Sequence, residues 1–168
     1  TSQIFNELWL RKEPIRRSGS VKSIPSYFHP LDSISSWNHL YGRGGFVQYQ
    51  FVVPFGAEAA LRSIVERIVA SRLASPLVVL KRFGEANEAP LSFPMPGWTL
   101  TVDMPAVADG LAELTRALDD SVLEAGGRHY LAKDALTSVA IVRAGYPRLR
   151  EWQEIRERWD PARRFCSD

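Results

Sequence analysis

"FVQYQFVVPFGAEAALRSIVERIVASRLASPLVVLKRF", residues 46–83, changes its apolar period twice. Residues 46–53 are rich in Val, Phe and Tyr and stop at Pro54, which marks a strand. Leu61, Ile64, Val65, Ile68 and Val69 then recur at helical spacing, so residues 56–73 read as a helix with one apolar stripe. "PLVVLKRF" (76–83) returns to a strand. Outward from this unit the same grammar repeats. "GWTLTVDM" (97–104) is a strand, and "VADGLAELTRALDDSVLEAGG" (107–127) is a helix. Leu111, Leu114, Leu118 and Val122 share one side of that helix, and Gly126-Gly127 stops it. "RHYLA" (128–132) is a short fourth strand, and the proline-rich stretch between the second and third strands is a loop. The order β-α-β-β-α-β predicts an α+β, ferredoxin-like fold, an antiparallel sheet with both helices on one face.

The flanks do not belong to this unit by pattern and are expected to pack on something else. Asp134 has the character of an N-cap opening a helix over 135–145, and residues 148–159 form a last amphipathic helix before Asp160-Pro161. On the other side, residues 3–11 read as the end of a helix, with Ile4, Leu8 and Trp9 on one side, and residues 12–45 as irregular. Within them "SYFHPLDSISSWNHLYG" (26–42) holds His29, His39, Trp37 and two tyrosines. That aromatic content argues against disorder. It leaves two readings, a surface loop stapled by its rings or a flap over a binding site.

Composition narrows the function. The formal net charge is +2 and the basic runs at 11–17 and 162–165 are short, which argues against nucleic acid as a partner. A lone cysteine, Cys166, excludes a disulfide framework within the chain and fits a reducing, cytoplasmic setting. No apolar run is long enough for a transmembrane segment, and the opening residues lack the pattern of a signal peptide. No metal-ligand spacing surrounds the histidines, so no metal is expected. "YGRGGF" (41–46) leads into a strand and is neither a P-loop nor a dinucleotide turn. Both ends are abrupt, and the sequence reads as a fragment of a longer protein.

Strand alternation assigns the faces. Val47, Tyr49, Phe51 and Val53, with Val78, Leu80, Trp98, Leu100 and Val102, suit the helices. The opposite face then carries Gln48, Gln50, Lys81, Phe83, Thr99, Thr101 and Asp103. One reading is a solvated face, as antiparallel sheets often have. The other rests on the mixture: neutral amides and hydroxyls, one cation and one ring suit a polyhydroxylated or planar ligand better than they suit water. Lys133 follows the fourth strand, where a point charge can steady a developing anion, or can simply be solvated near a helix start.

Three stretches carry a resemblance: "FHPLDSISSWNHLYGRGGFVQYQFVVP" (28–54), "APLSFPMPGWTLTVDMP" (89–105), and the run from "GGRHYLAKDA" (126–135) through "YPRLREWQEIRERWDPARRFCSD" (146–168). They resemble the flavin-dependent oxidase subunits of decaprenylphosphoryl-β-D-ribose 2′-epimerases, within the vanillyl-alcohol-oxidase type of FAD-linked oxidases. The resemblance implies that residues 1–127 are the later part of a substrate domain. Residues 128–168 would return to an FAD-binding domain that lies outside this sequence and supplies most FAD contacts. Gln50, Lys81, Phe83 and Thr99 match positions lining the pocket beside the flavin. Tyr130, Ala132 and Lys133 match the cofactor side, with Lys133 as the catalytic candidate. Leu31 and His39 match a mobile loop over the site, which favours the flap.

The implied reaction is oxidation of a secondary hydroxyl on a polyprenylphosphoryl ribose or related sugar alcohol, with hydride passing to flavin. A separate reductase subunit, association with a membrane carrying the lipid, and self-association of the fragment follow as expectations. Thr101 stands where mycobacterial members of that family carry cysteine, and Thr99 and His39 replace an expected Asn and Arg, so the sugar-lipid itself is left open. The competing reading is a non-catalytic ferredoxin-like module that uses the same polar face to hold a ligand or another chain.

Overall fold

A computed structural model of the chain describes residues 7, 8, 11, 21–29, 35, 36, 43–73 and 77–166. The chain divides into two compact units, Thr1–Gly45 and Phe46–Asp168. In the first, residues that read as irregular contain a short helix, α1 (Ile24–Phe28), opened by Ser23, whose hydroxyl accepts from the Ser26 amide at 3.3 Å, with proline in its first turn.

The second unit runs β1 (Phe46–Pro54), α2 (Glu58–Ser71), β2 (Val78–Phe83), β3 (Gly97–Pro105), α3 (Leu111–Glu124), β4 (Arg128–His129), a 3-10 segment (Leu131–Leu136), α4 (Val139–Gly145) and α5 (Leu149–Trp159). The strand order is β2-β3-β1-β4, and every neighbouring pair is antiparallel. β1 and β2 therefore run parallel with β3 between them, and β3 and β4 run parallel with β1 between them. These are two interlocked split βαβ units, the ferredoxin-like arrangement the periodicity predicts.

The core follows from the alternation. Tyr49, Phe51 and Val53 of β1 and Leu100, Val102 and Met104 of β3 meet Leu61, Ile64 and Ile68 of α2 and Leu111, Leu114, Leu118 and Val122 of α3. The edge strand departs from the expected pattern. Val78 and Leu80 face the helical side, yet Leu80 is 54% exposed, and β2 contributes nothing to the buried cluster. The stripe on α2 is narrower than its sequence for the same reason. Leu61, Ile64 and Ile68 bury, whereas Val69 stays 65% exposed, because the helix packs over β1 and β3 and not over β2.

The fourth strand is shorter than its apolar run, because Leu131 already enters the 3-10 segment. The cap also moves. Asp134 lies inside that segment, and the residue that opens α4 is Ser138, whose hydroxyl accepts from the Ile141 amide at 3.3 Å. Ser138→Ala is expected to speed amide exchange in α4 about fivefold, the equivalent of ~1 kcal/mol for a lost cap. Asp134→Ala should leave α4 unchanged, and hydrogen-exchange mass spectrometry distinguishes the two.

Candidate functional site

The ladder register brings the polar residues of the three long strands together. Gln48 pairs with Asp103, Gln50 with Thr101, and Lys81 with Thr99, so all of them, with Phe83 opposite Gly97, lie on the face away from the core. The surface is not uniformly wet. Thr99 and Asp103 are each 1% exposed, Gln48, Gln50, Thr101 and Phe83 are half-buried, and Lys81 is exposed. Gln50 Nε2 donates to Thr99 Oγ1 at 3.2 Å, a diagonal bond that fixes one amide across β1 and β3.

One end of this face is walled by rings. Phe93, from the β2–β3 loop, is buried and meets Phe83 edge-on at 5.6 Å on one side. On the other side it stacks on Tyr130 at 4.4 Å and 26°. Phe83 ends β2 and Tyr130 follows β4, so the loop folds back across the sheet between its two edge strands. Arg128 secures it by donating from Nη1 to the Ser92 carbonyl at 2.9 Å. Sequence reasoning missed Phe93 and Arg128. The signal for Phe93 was an aromatic between Pro90 and Pro94 in "PLSFP", which a loop with no role does not need.

The segment after β4 carries the remaining candidates. The Tyr130 amide donates to the Gln50 carbonyl at 2.9 Å, extending the ladder one step beyond the paired residues. The chain then turns, with the Lys133 amide donating to the Tyr130 carbonyl at 2.9 Å. Lys133 is half-buried and Ala132 is exposed. Lys133 has φ −125° and ψ 47°, outside helical values in an otherwise 3-10 segment. The turn that carries Lys133 is thus tied to the strand that carries Gln50. Leu31 and His39, and with them the expected flap, lie outside the described residues.

Behind the turn, on the helical side, sits a buried polar group that the sequence reading also missed. Tyr49 donates to Asp119 Oδ1 at 2.7 Å, His129 Nδ1 is 3.7 Å from the same oxygen, and Tyr146 donates to the His129 carbonyl at 2.6 Å. Burial, reinforced by the Asp119 carboxylate, drives the Tyr49 phenol well above its usual range. Burial pushes Tyr146 up to about 12 despite the nearby Arg128. Both phenols are held protonated more firmly in the folded chain than in the unfolded one. Their stabilisation is complete below the ordinary phenol pKa of about 10 and is lost as pH climbs through the folded values. The denaturant midpoint should therefore fall between pH 10 and 12, and the double substitution Tyr49→Phe, Tyr146→Phe should flatten that fall.

Among the described residues no group of His, Cys, Asp and Glu is placed to hold a metal ion, and no helix is long and apolar enough to cross a membrane. A groove of about 520 Å³ runs along α5, lined by Trp152, Ile155, Trp159 and Phe165, with Trp159 81% exposed.

The profile of the D-arabinono-1,4-lactone oxidase family matches residues 46–168, the span of the second compact unit. Over 164 residues the chain is 48% identical to the decaprenylphosphoryl-beta-D-ribose oxidase of Mycolicibacterium smegmatis, covering 98% of this chain and 35% of that protein. Over 166 residues it is 37% identical to a Streptomyces coelicolor protein described only as uncharacterized, in the mprA 5′ region, covering 98% of this chain and 44% of that one. The chain spans less than half the length of these relatives.

Proposed function

From the premise that this chain belongs to the D-arabinono-1,4-lactone oxidase family, we propose that it is part of an FAD-dependent oxidoreductase that oxidises a secondary hydroxyl of a polyprenylphosphoryl-ribose-like sugar. One observation carries the reading. The hydrogen-bonded Gln50–Thr99 pair, Lys81 beside it, and the Tyr130–Lys133 turn bonded to the Gln50 carbonyl make one continuous polar surface, walled by Phe83 and Phe93. The relative that acts on decaprenylphosphoryl ribose supports the substrate class.

The residues present fit the ring edge of a flavin and a sugar. Neutral amide and hydroxyl groups, a half-buried cation and a stacked phenol suit an uncharged planar ring that gains negative charge on reduction. The described residues offer no glycine-rich phosphate cradle, so the rest of the cofactor would belong to chain outside this sequence. When bound, FAD would take up a hydride, the hydrogen with its electron pair, from the carbinol carbon. The chain's own part is positional and electrostatic. Lys133 would stand beside the reacting hydroxyl and hold its oxygen as the proton leaves. Gln50, its amide held by Thr99, would fix the ring hydroxyls, Lys81 would meet the sugar's phosphate, and Phe83 would cover the apolar face of the sugar.

The same reading makes residues 1–127 substrate domain and 128–168 a segment returning to the flavin domain. The partly exposed apolar stripe Trp152, Ile155 and Trp159 on α5 supports that return. The test is spectroscopic. The full-length protein should be yellow, and its flavin absorbance should bleach anaerobically on addition of polyprenylphosphoryl ribose. The isolated 168-residue chain should retain no flavin. A colourless full-length protein, or a flavin spectrum indifferent to every ribose lipid and sugar alcohol offered, would refute the assignment.

A further inference from the structure

We propose that His129 is a positioning residue. Its Nε2–H clamps the backbone of Lys133, and Asp119 and Tyr49 hold the ring in place from behind. This deepens the function proposed above, because it concerns how that site keeps its cation in place.

The argument starts from donors and acceptors. His129 Nε2 lies 2.9 Å from the Lys133 carbonyl oxygen. A carbonyl only accepts, so the nitrogen facing it must carry the hydrogen. That places a hydrogen on Nε2. The imidazole is 1% exposed and packed on both sides. The Tyr49 ring from β1 meets it edge-on at 4.9 Å. The Asp119 carboxylate from α3 lies 3.7 Å from Nδ1 and is itself fixed by the Tyr49 hydroxyl. Tyr146, after α4, grips the His129 carbonyl, and the Arg128 guanidinium lies over the Tyr146 ring at 5.6 Å. Residues of β1 and α3 thus flank one ring whose outward nitrogen reaches a single backbone atom, while Tyr146 holds the backbone of His129.

That atom belongs to the residue whose φ and ψ leave the 3-10 geometry of its neighbours. A hydrogen bond to the Lys133 carbonyl fixes the peptide plane after Lys133, and so the direction in which its side chain departs. The surrounding turn is otherwise defined by backbone bonds, among them Lys133 amide to Tyr130 carbonyl and Thr137 amide to Asp134 carbonyl, and neither of these holds the Lys133 carbonyl. A long lysine whose own carbonyl is released samples more positions, and displacements of an ångström suffice to reduce catalysis strongly.

The test uses the full-length protein in three forms: wild type, His129→Phe, which keeps a ring but no donor, and His129→Gln, which returns an N–H near the Nε2 position. Amine-labelling rates at Lys133 and Lys81 are read by mass spectrometry. Lys133 labelling should rise severalfold in His129→Phe and return toward wild type in His129→Gln, with Lys81 constant throughout. A Lys133 rate unchanged in His129→Phe would overturn the proposal, as would a rise shared equally by Lys81, which would report general loosening. If His129→Phe does not fold, ¹⁵N NMR of the wild-type imidazole decides. Hydrogen on Nε2 supports the clamp, and hydrogen on Nδ1 alone overturns it. In turnover, His129→Phe should lower kcat at least tenfold with KM within about twofold. Labelling and NMR report on the clamp whether or not the protein proves to be a flavin oxidase, so the two proposals fail separately.

Discussion

Lys133→Met in the full-length protein is expected, on the proposed function, to lower kcat by about 10²–10³-fold, the loss that follows removal of one group stabilising a developing oxyanion. Methionine keeps the length and apolar stem of lysine and removes only the charge, and Lys133 is half-buried on a turn whose fold rests on backbone bonds. Stability and flavin content should therefore stay near wild type. If the ammonium acts chiefly as the reacting oxygen becomes anionic, kcat and kcat/KM fall together while KM holds. If Lys133 serves only to bind substrate, KM rises and kcat persists, and the catalytic role assigned to it fails. Arginine should not rescue, because a planar fork cannot replace a compact point charge at the same atom. Steady-state kinetics with a ribose lipid, alongside the flavin spectrum of each variant, distinguishes these outcomes.

Gly97→Ala is expected to remove about 3 kcal/mol or more of stability, enough to leave little folded protein. Gly97 opens β3, pairs with Pro54 on one side and Phe83 on the other, and is fully buried. A Cβ there would run into the Val53 carbonyl group and the Pro54 Cα, all of them backbone of the central strand, so no side chain can swing aside. Relief requires β1 and β3 to separate where Trp98, Leu100, Phe51 and Val53 pack. Gly84→Ala is the control, since a Cβ at Gly84 meets nothing within 4 Å. Thermal melts of the two variants should differ by many degrees. Equal melting temperatures would show that the tight approach at Gly97 is not a constraint on the fold.

The parts of this molecule that could be read in its sequence are those governed by period. β1, α2, β3 and α3 each bury one face against the same core, so their apolar residues repeat at two or at three to four, and a strand that alternates also declares its opposite face. Gln50, Lys81 and Thr99 were legible for that reason, though they belong to three separate segments. What the sequence hid depends on where a chain without period travels. Nothing local says that the loop bearing Phe93 crosses back to stack on Tyr130. Nothing local says that Tyr49 and Asp119, 70 residues apart, would share a hydrogen bond behind His129. Asp134 and Ser138 are both credible caps, and which one serves depends on how far the 3-10 segment continues after β4. The exposure of Leu80 follows from the edge position of β2, a property of strand order that no single strand encodes.

The strand order also has a consequence during synthesis. The most deeply buried strand, β1, lies between β3 and β4, both of which the ribosome delivers later. Gly97 lies some forty residues beyond Pro54. At about 5–20 residues per second, Phe51, Val52 and Val53 wait about 2 to 9 seconds beyond the exit tunnel before their first partner strand emerges. Among the described elements that line the core, α2 alone emerges in that interval. Nascent chains of this protein should therefore engage trigger-factor-like chaperones from the emergence of β1 until β3 is out, and codon changes that slow translation between the two strands should lower the soluble yield.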